Sequence, residues 1–249
     1  MKFARLHRWP TNPGEARRLQ LDLAPRVVLH GSPRSPRLVA GADVAYSPTH
    51  GWLVAAAVLL RRPAKPVENT WEVVEEVVLK GPVTFPYVPG LLSFREAPVL
   101  LDCFAKLKST PDLVLVDGHG IAHPRGFGIA SHLGLWLDLP TVGCAKSRLV
   151  GECEQPGDDP GSWTELRYQG KAVGATVRTR RGVKPIFVSP GHRVGLKAAV
   201  RLALLCGAGF RVPEPTRLAD HLAEAAKRQM LVALNGRTQA CLTWGPSDS

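Results

Sequence analysis

Four acidic residues of this chain stand where a metal ion could be held. Asp43 and Asp117 each end a short apolar run, Glu96 follows a proline-containing turn, and Asp220 lies in a helix-like stretch. Carboxylates at the ends of buried strands are held on rigid elements, and several that converge repel one another unless a cation neutralises them. Oxygen ligands of this kind suit Mg²⁺ or Mn²⁺. The pattern therefore favours metal-assisted chemistry, provided that the four residues converge.

Each of these acids also has a structural explanation when it is taken alone. An Asp at the end of a strand commonly caps a turn, which would account for Asp43 or for Asp117. Ser93 and Glu96 match a capping box, in which the Glu bonds back to the start of its helix. Asp220 could simply be a solvated helix residue. Only the set of four favours the metal site over these alternatives.

The charge of the chain indicates what kind of substrate such a site would meet. The 249 residues include 32 Lys and Arg against 21 Asp and Glu, a net charge of +11. An excess of this size favours a polyanionic partner, with a merely solvated basic surface as the alternative. Residues 1–37 carry eight basic and two acidic residues, and residues 178–201 carry seven basic and no acidic ones. Basic stretches on either side of an acidic cluster predict a groove that grips phosphates, and phosphodiester cleavage fits that contrast best.

Several classes of protein are excluded by composition. No run of 18 apolar residues is present, so no transmembrane helix and no membrane partner are expected. The basic N-terminus is not followed by an apolar segment of signal-peptide type. The five cysteines form no Cys-x-x-Cys pair and have no His at zinc-finger spacing, so neither a disulfide framework nor structural zinc is expected. These features predict a protein of the reducing cytoplasm.

Hydrophobic periodicity and turn residues predict a single α/β domain over residues 1–249. Strands are predicted at 37–46, 52–60, 71–79, 112–117, 141–145, 172–178 and 185–189. Helices are predicted at 14–29 with a kink or end at Pro25, then at 93–107, 127–137, 194–206 and 216–235. Residues 151–170 are interpreted as loop and residues 189–193 as a tight turn. A meander followed by alternating helices and strands predicts a mixed central β-sheet flanked by helices on both faces.

A stiff, aromatic loop precedes Glu96. Pro86 and Pro89 flank Tyr87 and Val88 and restrict the backbone on both sides of the ring. A rigid tyrosine on a loop can insert between bases and hold a strand open. The alternative is a turn whose tyrosine packs on the surface of the domain.

Other candidate nucleic-acid contacts follow the strands that carry the acids. The segment 117–126 contains two His, three Gly and an Arg, and its glycines permit close approach of a base or phosphate, which His123 could hydrogen-bond. Lys146 follows the strand 141–145 and could neutralise charge that develops on a phosphate, with a surface Lys as the alternative. Arg193 could grip the nucleic-acid backbone.

Six of these segments together resemble the endonuclease V family, the deoxyinosine 3′-endonucleases. The matching stretches occur in the family's order and are residues 39–46, 86–96, 117–125, 143–147, 188–193 and 213–220. The block from Pro86 to Glu96 is the most specific. The resemblance implies an RNase H-like fold.

The resemblance also implies roles for the acids and the stiff loop. Asp43, Glu96 and Asp117 would bind Mg²⁺, which Mn²⁺ could replace, with Asp220 near or in the metal shell. Some members carry His at this last position. Lys146 would contact the phosphate and complete the catalytic set. The strand-separating wedge would consist of Pro86, Tyr87, Val88 and Pro89.

The resemblance implies the rest of the substrate site as well. The pocket for the flipped base would be formed by Leu92, Gly118, Gly120, Ile121 and His123. The residues that hold phosphates would be Arg95, Arg125 and Arg193.

The expected substrate is DNA containing deoxyinosine. A monomeric enzyme would cut the second phosphodiester bond 3′ to the lesion and leave a 3′-hydroxyl and a 5′-phosphate. Two alternatives remain at this stage. One is an inosine-specific endoribonuclease on the same scaffold, and the other is a noncatalytic nucleic-acid-binding module.

Overall fold

The structure, a computed structural model, describes residues 1–63 and 71–242. Within that part, eight strands form one sheet. The strands are β1 (Leu38–Ser47), β2 (Trp52–Arg61), β3 (Glu72–Pro82), β4 (Leu113–Val116), β5 (Thr141–Ala145), β6 (Trp163–Tyr168), β7 (Lys171–Val177) and β8 (Ile186–His192). Their order across the sheet is β3-β2-β1-β4-β5-β8-β7-β6.

Strand direction makes this sheet mixed. Strand β1 runs parallel to β4, which runs parallel to β5, while β2 and β8 are antiparallel to their neighbours β1 and β5. The central strands are almost wholly apolar and buried, as expected where helices cover both faces of a sheet. This is the RNase H-like α/β architecture that the resemblance implied.

In the described part of the chain, five α-helices surround the sheet: α1 (Pro13–Leu23), α2 (Leu92–Lys106), α3 (Ile129–Leu137), α4 (Leu196–Leu205) and α5 (Glu214–Leu242). Helices α2 and α3 pack on one face, in a core that includes Leu59, Leu100 and Leu133. Helix α4 packs on the other face, around Leu115 and Leu202. Helix α5 lies over β1 and β2 through small side chains, which lets the helix come close to the sheet.

Helix α5 approaches the sheet closely at Gly41 in β1. A Cβ atom at this position would lie 1.8 Å from the carbonyl oxygen of Pro215, in the first turn of α5. Only glycine leaves room for that contact. The start of α5 is thereby placed beside the part of β1 that contains Asp43.

Two segments differ from the sequence-based prediction. Residues 151–170 were predicted to be loop, but they contain β6, which pairs with β7 through a turn at Gln169 and Gly170. Both turn residues have positive φ, 50° and 75°, which suits a two-residue hairpin.

The predicted turn at residues 189–193 is also wrong, since β8 continues to His192. Pro190 is tolerated there because the pairing register shifts at that point, with Val142 opposite Pro190 and Thr141 opposite His192. No helix among the described residues is long and apolar enough to cross a membrane.

Candidate active site

Asp43 and Asp117 lie side by side where the central strand β4 ends. Asp117 directly follows β4, whereas Asp43 lies within the longer strand β1 rather than at its end. The parallel register places Ala42 opposite Val116, so that each aspartate follows one member of this pair. The amide of Asp117 donates to the carbonyl oxygen of Ala42 at 3.2 Å, which fixes the two strands at this point. The structure therefore brings together the two acids that sequence analysis assigned to strand ends.

Both aspartates are unfavourable as anions in this position. Burial, together with the charge of Asp117, raises the pKa of Asp43 to about 8. Burial also raises the pKa of Asp117, although the hydrogen bond from Lys146 opposes the shift. A bound cation would relieve this cost, so the pair has the electrostatics of a cation site.

Glu96 reaches the same region from α2 and is held by Tyr46. The Tyr46 hydroxyl donates to Oε1 of Glu96 at 2.5 Å. Burial raises the pKa of Glu96 to about 8, while the hydrogen bond from Tyr46 opposes this shift and the charge of Asp117 adds to it. The capping-box alternative is wrong, because the N-cap of α2 is Leu91 and no side chain caps that helix.

Lys146 connects Asp117 to Asp220. Its Nζ lies 2.7 Å from Oδ2 of Asp117 and 3.0 Å from Oδ2 of Asp220. Although burial opposes it, hydrogen bonding to these two carboxylates raises the pKa of Lys146. Arg211 holds the backbone of this residue by donating to the Lys146 carbonyl oxygen at 2.8 Å. An ammonium group thus lies between two of the four acids.

A cavity of about 270 Å³ adjoins Asp117. Leu92, Gly118 and His123 line it, as the resemblance implied. The other lining residues are Tyr87, Val88, Pro89, Gly90, Ser93, His119, Gly128, Ile129, Ser147, Arg148 and Leu149. One wall of this cavity is therefore formed by the stiff loop, residues 86–90. Another wall is formed by residues 117–128, the glycine-rich loop.

Gly120 and Ile121 lie outside the lining of this cavity. A Cβ atom at Gly120 would lie 1.9 Å from the carbonyl oxygen of Pro190, so this glycine packs against β8. The amide of Ile121 donates to the same oxygen at 2.8 Å. Their contacts explain the glycine-rich sequence by packing rather than by contact with a base.

His123 lines the cavity, but both of its ring nitrogens are engaged within the chain. Nε2 contacts the Gly90 carbonyl oxygen at 2.9 Å, and Nδ1 accepts the backbone N–H of Arg125 at 3.2 Å. Burial lowers the pKa of His123 to about 4, which keeps the ring neutral. Since a carbonyl only accepts, the proton is on Nε2, and the ring braces the loop.

Tyr87 projects from the stiff loop, with 72% of its surface exposed. The ring therefore does not pack on the surface of the domain, which was the alternative interpretation of this loop. The guanidinium of Arg95 lies 6.0 Å from the Tyr87 ring and 4.5 Å from the Tyr46 ring. Arg95 therefore stands between the exposed tyrosine and the tyrosine that holds Glu96.

Comparison with known proteins identifies this arrangement. The family model described as Endonuclease V matches residues 21–221. The chain belongs to the Endonuclease V family. Endonuclease V of Roseiflexus sp. (strain RS-1) is 50% identical over 215 residues, which cover 86% of this chain and 93% of that protein. The noncatalytic alternative loses its support, because the members of this family are nucleases.

Two solved Endonuclease V structures show the similarity of fold. The Streptomyces avermitilis protein is 43% identical, with a TM-score of 0.83 over 90% of this chain and 96% of that one. The Ciona intestinalis protein, solved with a 24mer DNA containing an inosine followed by a ribo-adenosine, is 26% identical. Its TM-score is 0.75 over 87% of this chain and 98% of that one.

The Endonuclease V family is one of metal-dependent nucleases, and the donor chemistry of this chain fits a hard cation. The carboxylates offer oxygen ligands and raise one another's pKa. Among residues 1–63 and 71–242, no three acidic, histidine or cysteine side chains form a finished metal-binding group. Lys146 contacts carboxylate oxygens of Asp117 and Asp220, and Tyr46 contacts one of Glu96.

The three predicted phosphate-binding arginines of this Endonuclease V chain lie in different places. Arg95 is beside Tyr87, as described above. Arg125 donates from Nη2 to the Gly90 carbonyl oxygen at 2.8 Å and from Nε to Gln20, so that it braces the stiff loop. Arg193 lies next to His192, at the other end of the strands from Asp117, and pairs with Asp138 at 2.7 Å.

Three residues that contact predicted site residues were not predicted from the sequence: Tyr46, Arg211 and Gln20. Tyr46 follows Asp43 by three positions and so points to the other face of β1. No local pattern distinguishes it from an ordinary strand tyrosine.

The hairpin at Gln169 and Gly170 did carry a turn signal, and it would have corrected the loop interpretation.

Proposed function

We propose that this protein is a Mg²⁺-dependent endonuclease that recognises deoxyinosine in DNA and cuts the second phosphodiester bond 3′ to it. The observation that carries the proposal is the adjacency of the cavity and the carboxylates, since Gly118 lines the cavity and directly follows Asp117. A flipped base in the cavity would hold the nearby backbone against the acids. The inosine-containing DNA bound to the Ciona intestinalis relative supports this substrate.

The metal site of this proposal consists of Asp43, Glu96 and Asp117, with Asp220 beside them. A divalent ion held there supplies the charge that activates water and stabilises the leaving oxygen in phosphodiester hydrolysis. Mg²⁺ suits a set of carboxylates, and Mn²⁺ can substitute.

Lys146 has a second task in this scheme. In the resting protein its ammonium neutralises Asp117 and Asp220. If a cation held there neutralised these carboxylates, the ammonium would be free to turn towards the scissile phosphate. There it would stabilise the negative charge that develops as the bond breaks.

Substrate opening in this scheme depends on the exposed ring of Tyr87. The loop that carries the ring also lines the cavity, so strand separation and base capture would occur at one place. Arg95 beside that ring would hold a phosphate.

We further propose that one domain carries the whole activity, that it acts as a monomer, and that it works in the cytoplasm. Cys103, Cys144, Cys153 and Cys206 are free thiols, which suits that compartment.

The test uses an end-labelled duplex with one deoxyinosine, incubated with Mg²⁺ or with EDTA, beside an unmodified duplex. We expect a cut one nucleotide beyond the lesion that needs Mg²⁺ and is absent in Asp43→Ala. No cut on any inosine strand, with binding retained, would overturn the proposal.

An inosine-specific endoribonuclease is the second candidate, because the DNA bound by the Ciona intestinalis relative contained a ribo-adenosine after the inosine. An inosine RNA of the same sequence, tested alongside, ranks the two substrates. Faster cleavage of the RNA would favour this second function.

A further inference from the structure

The carbonyl oxygen of Gly90 is the meeting point of three side chains. Gln20 Nε2 donates to it at 3.0 Å, His123 Nε2 at 2.9 Å and Arg125 Nη2 at 2.8 Å. Gly90 ends the loop that carries Tyr87 and has a φ of 75°. The C-terminal end of the stiff loop is therefore fixed at one atom by donors from two other parts of the chain.

Gln20, which lies on α1, uses its whole amide in this network. Its Nε2 also donates to the Phe127 carbonyl oxygen at 3.0 Å, and its Oε1 accepts from Arg125 Nε at 2.5 Å. The side chain is 0% exposed. A buried amide with every group satisfied specifies one arrangement of its partners, because any shift would leave a polar group unpaired.

The partners of Gln20 belong to the two walls of the cavity. Gly90 lies on the stiff-loop wall, while Arg125 and Phe127 lie on the glycine-rich segment that contributes His123 and Gly128 to the other wall. Gln20 itself does not line the cavity. Its hydrogen bonds therefore determine how far apart the walls are, without placing its side chain against a bound base.

We propose that Gln20 is a positioning residue for lesion recognition, whose buried amide holds the Tyr87 loop and the glycine-rich loop as one preassembled unit. The inference rests on the proposed function, since it explains how that site would open a duplex. It also gives α1 a role in recognition. Because the wedge must resist the force of a closing duplex, its fixed attachment matters more on double-stranded than on single-stranded DNA.

The test compares cleavage of one inosine oligonucleotide as a single strand and as a duplex. Gln20→Leu keeps the approximate size of the side chain and removes all three hydrogen bonds. We expect duplex cleavage to fall roughly tenfold or more, since buried partners lose their hydrogen bonds, while single-strand cleavage stays within about threefold. Gln229→Leu, an exposed change on α5, is the matched control.

A double-mutant cycle separates positioning from general support of the fold. If Gln20 acts through Tyr87, Gln20→Leu should cause little further loss of duplex cleavage in a Tyr87→Ala background. Equal losses on single and double strands would overturn the inference, as would no loss on either. If Gln20→Leu does not fold, Gln20→Asn, which shortens the side chain so that its amide no longer reaches its partners, takes its place with the same expectations.

The two proposals fail in different ways. If the unmodified protein cuts neither inosine substrate, the proposed function is wrong. If it cuts both and Gln20→Leu does not change their ratio, only the role of Gln20 is wrong. Fluorescence of 2-aminopurine beside the inosine adds a readout without cleavage, and Gln20→Leu should weaken the unstacking signal on duplex DNA in EDTA.

Discussion

The hydroxyl of Tyr46 donates to Oε1 of Glu96 across 2.5 Å, while the guanidinium of Arg95 lies over the same tyrosine ring at 4.5 Å. This contact orients Glu96, the proposed metal ligand that comes from helix α2 rather than from the sheet. A hydrogen bond to a charged group contributes about 1.5–3 kcal/mol. In the proposed metal site, Tyr46 would therefore hold Glu96 in place for a cation.

Replacing Tyr46 should weaken metal use more than substrate binding. We expect Tyr46→Phe to raise the Mg²⁺ concentration needed for half-maximal cleavage by roughly tenfold, because Glu96 loses the hydrogen bond that favours its charged form. A Mg²⁺ titration of cleavage measures this. Tyr168→Phe on β6 is the control, and an unchanged titration in Tyr46→Phe would show that the contact is dispensable.

The carboxylates should make stability depend on pH when metal is removed. Burial raises the pKa of Asp43 and of Glu96 to about 8, so the folded state binds these protons more tightly than the unfolded state does. Stability should then be highest at low pH within this range and fall as pH rises from about 4 to about 8. Thermal melting in EDTA across that range, for the native chain and for Asp43→Asn, tests the sign.

Mg²⁺ should oppose the loss of stability that is expected as the pH rises. At about pH 8 a cation favours the ionised carboxylates, so the melting temperature should rise on addition of Mg²⁺, and more so than at about pH 6. A melting temperature that ignores Mg²⁺ at both values would count against the carboxylates as its ligands.

Removing the ammonium of Lys146 should separate catalysis from binding. We expect Lys146→Met to lower the single-turnover rate by about 10²–10³, the usual effect of losing one group that stabilises developing charge. DNA affinity should change little. Lys171→Met, at an exposed position on β7, is the control. A loss confined to DNA affinity would assign Lys146 to binding instead.

Gly120 should prove structural rather than selective. Gly120→Ala places a Cβ atom 1.9 Å from the Pro190 carbonyl oxygen, a backbone atom that cannot move easily. We expect a loss of about 1–3 kcal/mol in the free energy of unfolding. Gly157→Ala, whose Cβ would meet the Ser162 side chain at 3.3 Å and 3.6 Å, should cost much less. Denaturant melts of both variants provide the measurement, and preserved stability with altered base preference would restore Gly120 to the pocket.

The positions of Asp43 and Asp117 could be predicted because the information is local. A short apolar run bounded by Pro or Gly identifies a buried strand, and Asp117 follows such a run at the end of β4. Asp43 also follows an apolar run, but β1 continues past it to Ser47, so it lies within its strand rather than at the end. The parallel pairing of β1 with β4 then brings the two acids together.

The contacts of Gln20 and Tyr46 could not be predicted in the same way. Gln20 bonds to residues more than sixty positions away, and a polar residue in an N-terminal helix gives no sign that it is buried. Arg193 shows the converse case. The motif that contains Arg193 is local and recognisable. Because β8 runs antiparallel to β5, however, Arg193 lies at the other end of the strands from Asp117.

The contact between Gly41 and Pro215 also determines when the enzyme can become active during folding. It joins β1, near the start of the chain, to α5, near its end, and contacts so distant in sequence form slowly. We expect the sheet to form first and α5 to dock later, which would deliver Asp220 last. Refolding followed by cleavage should therefore lag behind refolding followed by circular dichroism of the strands. A newly made chain would thus pass through a stage in which the sheet is folded but cleavage activity is absent. At that stage it could bind DNA without cutting it.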